Sequence, residues 1–132
     1  VKSPVFVGGG RIFGPRPKDY TQKLTKNVKR LARRSALSAK VQNQALVVVE
    51  DLNFDAPKTK DFTAVVKSLG LENKKSIFVL PNTNNNVYLS SRNVPTSSVV
   101  TASELNTYQL VNASNVVLTE SSVAVLESIL TK

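Results

Sequence analysis

From residue 45 onward the chain switches repeatedly between short, largely apolar runs and longer stretches with helical spacing, and this alternation restricts the fold more than any other feature. The runs are Ala45-Leu46-Val47-Val48-Val49, Ser76-Ile77-Phe78-Val79-Leu80, Ser98-Val99-Val100-Thr101 and Asn115-Val116-Val117-Leu118-Thr119. Successive strand residues point to opposite faces, so a strand apolar at nearly every position needs cover on both sides, as in a parallel sheet between two helical layers. Between the first two runs Pro57 can open a helix and Gly70 can close it, with Phe62, Val65, Val66 and Leu69 at helical spacing. Shorter helical segments are expected over residues 84–91 and 103–110, and Val123, Leu126, Ile129 and Leu130 mark a last helix. The fold class that follows is three-layer α/β/α, with a mostly parallel four-stranded sheet and right-handed crossovers.

Charge divides the chain differently. Residues 1–40 hold eleven Lys or Arg and one acid, Asp19, whereas residues 41–132 hold seven basic and eight acidic residues; the net +9 is therefore +10 at one end and −1 elsewhere. Concentrated positive charge is an electrostatic footprint for a polyanion, the alternative being a solvated lysine-rich tail. Residues 1–20, with Gly8-Gly9-Gly10 and Gly14-Pro15-Arg16-Pro17, are expected to form an extended basic arm whose glycines let backbone approach phosphate. Residues 21–132 are expected to be a single α/β domain that includes a basic amphipathic helix over 21–40. On a helical wheel Leu24, Val28, Leu31, Ala32, Ser35, Ala36 and Ala39 share one side. Lys23, Lys26, Lys29, Arg30, Arg33, Arg34 and Lys40 share the other, with Leu37 stranded among the cations. So small an apolar face suits packing on a sheet better than insertion into a membrane.

Several chemistries are excluded or weakened. With neither cysteine nor histidine, there is no disulfide framework, no thiolate or imidazole metal site, and no Ser-His catalysis. Gly8-Gly9-Gly10-Arg11-Ile12-Phe13-Gly14 matches neither the dinucleotide fingerprint nor the Walker pattern, so no cofactor or small-molecule substrate is expected. Glu50-Asp51, ending the first apolar run, is the sharpest enzyme hypothesis: a magnesium site at the carboxyl end of a strand, set against solvated or helix-capping carboxylates. Without a visible third ligand the capping reading is preferred, so neither a catalytic residue nor a metal ligand is expected. The start Val1-Lys2-Ser3-Pro4 does not resemble a signal peptide, and no run reaches the roughly 18 apolar residues of a membrane span. A cytosolic location fits, and the absence of methionine implies a piece of a longer product.

What remains is an interleaving of cations with rings: Lys2, Phe6, Arg11, Phe13, Arg16, Lys18, Tyr20 and Lys23. Rings stack on unpaired bases while Arg and Lys neutralise phosphate, and irregular RNA presents both. Phe6, Phe13 and Tyr20 are the stacking candidates, although Phe6 and Phe13 could equally pin the arm to the protein's own core. A basic module for DNA or an anionic membrane is the other alternative.

Several segments also carry a resemblance. Lys2-Ser3-Pro4, Gly8-Gly9-Gly10 and Phe13-Gly14-Pro15-Arg16-Pro17-Lys18-Asp19-Tyr20 resemble the segment that follows the long basic loop in bacterial-type large-subunit ribosomal proteins of the L-four family. Leu31-Ala32-Arg33-Arg34-Ser35-Ala36-Leu37-Ser38 is similar to that family's basic helix. Leu46 to Asp51, Ala56-Pro57-Lys58-Thr59-Lys60, Asn86 to Val94, and Val116-Val117-Leu118-Thr119 follow in the family's order. The resemblance implies a structural protein, not an enzyme, that binds large-subunit rRNA early in assembly and touches neighbouring ribosomal proteins. It implies a ribosome-bound location in the cytoplasm or an organelle, and a loop reaching the peptide exit tunnel, with the family's first third lying outside this sequence. By position, Lys2, Arg11, Arg16 and Lys18 fall on the returning arm of the loop and Lys23 to Lys40 on the adjoining helix, while Lys58, Lys60 and Arg92 complete the expected RNA contacts. Asn82-Thr83-Asn84-Asn85-Asn86 is richer in amides than the family pattern and is read as a lineage mark without a role.

Overall fold

All four apolar runs become strands of one sheet in the computed structural model, which describes residues 2–131. In chain order the elements are α1 (Lys26–Gln42), β1 (Leu46–Val49), α2 (Thr59–Ser68), β2 (Ser76–Leu80), α3 (Asn85–Ser91), β3 (Ser97–Thr101), α4 (Thr107–Asn112), β4 (Asn115–Thr119) and α5 (Glu120–Thr131). The strand order is β1-β4-β2-β3 and every pairing is parallel. Register sets Phe78 beside Val117 on one neighbour and Val99 on the other. Alternation along the strands then sorts the core into two clusters. Ile77, Val79, Val116 and Leu118 pack with Leu110 of α4 and Leu126 of α5, and with Ala36 and Leu37 of α1. Phe78, Leu80 and Val117 pack with Phe62 and Val66 of α2 and Val87 of α3. The expected three layers are present, and every residue of β2 is buried.

Local chemistry fixes the element ends. Gly70, with φ +68°, closes α2 as expected: its N–H donates to Lys67 O, and the N–H of buried Leu71 reaches Val66 O, the paired bonds of a Schellman motif. Pro57 stands just ahead of the Lys58 N-cap. Asn84 caps α3, its side-chain oxygen accepting from Asn86 N at 3.2 Å and Val87 N at 3.3 Å. Asn86 Nδ2 donates to Phe54 O at 2.7 Å and ties down the loop after β1. The amide tract therefore has a structural task, contrary to the reading above. Asn106 and Gln109 form a reciprocal capping box, which starts α4 at Thr107 instead of residue 103.

Two further expectations are corrected. The basic helix begins at Lys26, five residues later than expected, so Lys23 belongs to the irregular segment. The turn that would have preceded it contains only Leu24 as an apolar residue, and Leu24 is exposed; short helices without tertiary burial are marginal. The helix is also rotated. Leu37, stranded on the wheel, packs on the sheet with Ala36, whereas Val28 and Leu31 face outward, Leu31 with 63% of its surface exposed. Length accounts for the exposure of Val28 and Leu31: α1 is about 26 Å long and a five-residue strand about 16 Å, so only its C-terminal half lies over the sheet. The short connection through Gln44, itself at φ 54°, anchors that half.

Residues 2–25 form no helix or strand. Their beginning is folded back instead of extended: Phe6 N donates to Ser3 O, Gly9 N to Phe6 O and Gly10 N to Lys2 O, at 2.9 to 3.1 Å. A Cβ on Gly9 would lie 1.8 Å from Ser3 O, so this glycine admits the chain's own backbone. The expected role of Gly9 in approaching phosphate is thereby replaced.

Candidate nucleic-acid interface

The candidate cations share one property: among the described residues the only side-chain ion pair is Lys67 with Glu72, at 3.3 Å. None of the eleven Lys and Arg between residues 2 and 40 has a carboxylate within ion-pair distance. Lys2, Arg11, Arg16, Lys18 and Lys23 lie on the irregular segment and are exposed. Lys26, Lys29, Arg30, Arg33 and Arg34 follow on the first half of α1, which overhangs the carboxyl edge of the sheet. Lys29 and Arg33 border a crevice of about 280 Å³ with Glu104, Asn106 and Thr107. Arg33 Nε also donates to Lys29 O at 3.4 Å, and Arg34 borders an apolar groove with Leu37 and Leu126. Lys40 differs, since its ammonium is held by Ala113 O, tying α1 to the end of α4.

The rings are free of the core. Phe6, Phe13 and Tyr20 are all exposed, Phe13 at 88%, so the alternative in which Phe6 and Phe13 pin the arm to the domain does not hold. Lys18 Nζ lies 5.0 Å from the centre of the Tyr20 ring, a cation–π contact that pairs two of the candidates with each other. The remaining candidates are dispersed. Lys58 and Lys60 stand at the start of α2, on the opposite face from α1, and Arg92 is the C-cap of α3. The fold does not gather these three with the arm.

The site favoured by the enzyme alternative has another occupation. Asp51 Oδ1 accepts from Ser121 Oγ at 2.6 Å and Ser121 N at 3.3 Å, so Asp51 caps the start of α5. No cluster of three potential metal ligands occurs among the described residues. Because α3 after β2 and α5 after β4 pack on opposite faces, the topological switch point lies between these adjacent strands. A crevice of about 400 Å³ opens there, lined by Asp51, Leu80, Thr119 and the amide tract. No Lys or Arg lines it, which leaves it poorly suited to phosphate.

A profile of the ribosomal protein L4/L1 family matches residues 1–129. The chain belongs to this family. It is 58% identical over 128 residues to the large ribosomal subunit protein uL4 of Christiangramia forsetii, covering 97% of the chain and 62% of that relative. Against uL4 of Flavobacterium johnsoniae the identity is 58% over 132 residues, all of the chain and 63% of the relative. For uL4 of Parabacteroides distasonis it is 61% over 127 residues, 96% of the chain and 61% of the relative. The chain thus spans a little over three-fifths of the length of these L4/L1 relatives. Membership accounts for the ordered segments noted in the sequence. The charge pattern gave the arm and α1 but not which face of α1 meets the sheet.

Proposed function

We propose that this chain is part of a structural constituent of the large ribosomal subunit and no enzyme: it binds large-subunit rRNA through residues 2–34. Here the α/β unit of residues 26–131 acts as one domain that holds the basic segment in place. Neighbouring large-subunit ribosomal proteins complete its surroundings on a cytoplasmic ribosome. In the family's full-length members the adjoining loop would extend this contact toward the peptide exit tunnel.

The observation that carries this reading is the set of cations without carboxylate partners among the described residues, gathered on residues 2–25, which form no helix or strand, and on the overhanging first half of α1. Like charges held together repel one another, and a folded chain gains nothing by gathering them unless an anion compensates. Phosphate does so with release of condensed counterions, and irregular RNA also offers bases to the exposed rings. Among the described residues no helix is long and apolar enough to cross a membrane. Replacing Arg30, Arg33 and Arg34 together by Ala should weaken binding to transcribed large-subunit rRNA by about one to two powers of ten. Thermal unfolding should be nearly unchanged. Equal affinity of the variant and the parent chain, at low and moderate salt, would count decisively against the proposal.

A further inference from the structure

Residues 41–132 are close to neutral in sum but not in distribution. Glu50, Asp51, Asp55, Asp61, Glu104 and Glu120 all follow strands or open helices at the carboxyl edge of the sheet, where they stand against Lys58, Lys60 and the overhanging cations of α1. The amino edge is predominantly basic: it holds Lys40, Lys67, Lys74, Lys75 and Arg92, and of these Lys67 is paired with Glu72. Lys74 and Lys75 are exposed in the loop that enters β2, and Arg92 is exposed where α3 ends. Lys75 O accepts from Ser114 N at 2.7 Å and Asn115 N at 3.1 Å, while Lys40 is bonded to Ala113 O. One turn between α4 and β4 therefore holds Lys40 and Lys75 side by side. Next to it opens a crevice of about 330 Å³ lined by Lys75, Thr96, Ser97, Ser98, Gln109 and Asn112, with no carboxylate in its wall.

We propose that this amino edge is a second RNA-binding surface, taking the sugar-phosphate backbone of a segment distinct from the one held by residues 2–34. The inference rests on the rRNA-binding reading above and extends it to Lys74, Lys75 and the crevice beside them, which the sequence left unassigned. A lysine beside hydroxyl and amide groups supplies both charge for phosphate and neutral partners for ribose hydroxyls. A protein partner is less suited, because interface centres are built on aromatic and apolar anchors. The wall of this crevice offers Pro95 as its only exposed apolar side chain. The two basic surfaces stand about 16 Å apart along the strands, roughly twice the screening length at physiological salt. They act independently, so the domain bridges two RNA segments.

The test compares three chains, the parent, K74Q/K75Q/R92Q and R30A/R33A/R34A, titrated with transcribed large-subunit rRNA over a range of salt. Lysine acetylation of free and RNA-bound protein is followed in parallel. The slope of log affinity against log salt should be shallower by about two to three in the amino-edge variant, near 0.9 per lost phosphate contact. Lys74 and Lys75 should be shielded from acetylation in the parent complex. An unchanged slope with Lys74 and Lys75 still reactive, while the α1 variant binds weakly, overturns this inference alone. Shielding that arises only after other large-subunit proteins are added assigns the edge to an acidic protein neighbour and overturns the RNA assignment. Absence of salt-dependent binding in the parent overturns the broader function itself.

Discussion

The β2 strand and the first half of α1 are built on opposite terms. In β2 all five residues are buried, the strand pairs with β3 on one side and β4 on the other, and its apolar side chains alternate between the two helical layers. In α1 no residue is fully buried, Val28 and Leu31 face outward, and five cations within nine residues lack carboxylate partners. Burial explains the first region completely, since apolar area removed from water is its own source of stability. It does not explain the second, whose unpaired charge is what the proposed RNA partner would neutralise. One region contains its reason for existing and the other points to a partner.

The comparison breaks most severely if the core is not where the stability resides. Phe62 and Phe78 lie ring edge to face, 5.1 Å between centroids, and both are essentially inaccessible. Phe62→Ala should cost about 3 to 5 kcal/mol in urea denaturation, enough to threaten the folded state of a domain this size. A smaller pair of variants tests the rotation of α1. Leu37→Ala should lose about 1 to 2 kcal/mol and Leu31→Ala less than about 0.5, whereas the sequence-based wheel predicts the reverse. The smallest effect is at Asp51. Asp51→Ala removes the cap of α5 and should cost about 1 kcal/mol in the same assay, and Asp51→Asn, which keeps the accepting oxygen, should recover most of it.

Much of this architecture was legible in the residues. Fully apolar β-branched runs can be satisfied only by two covering layers, so the parallel sheet and its strands followed almost directly, and Gly70 marked the end of α2 because a left-handed residue was needed there. What was hidden depended on distances along the finished fold. The exposure of Val28 and Leu31 turns on how far a helix outruns a strand, and the folded-back turn at Ser3, Phe6 and Gly9 turns on hydrogen bonds that composition does not encode. The tasks of Asn84 and Asn86 were missed because a tract of amides looks uniform until one member caps a helix and another holds the Phe54 loop. Charge segregation marked the arm but not the amino edge, where the turn before β4 ties together Lys40 and Lys75 from distant parts of the chain. Site reasoning was thus strongest for a contiguous segment and weakest for Lys58, Lys60 and Arg92, which the fold disperses.

Hydrogen exchange of the 132-residue chain, free and bound to transcribed large-subunit rRNA, tests the partner-dependence of the basic segment most directly. Amides of residues 2–25 and the first half of α1 should exchange quickly in the free protein and become protected on binding, while β2 and β4 stay protected in both states. Exchange through residues 2–34 that remains the same in a complex of measurable affinity would contradict the account.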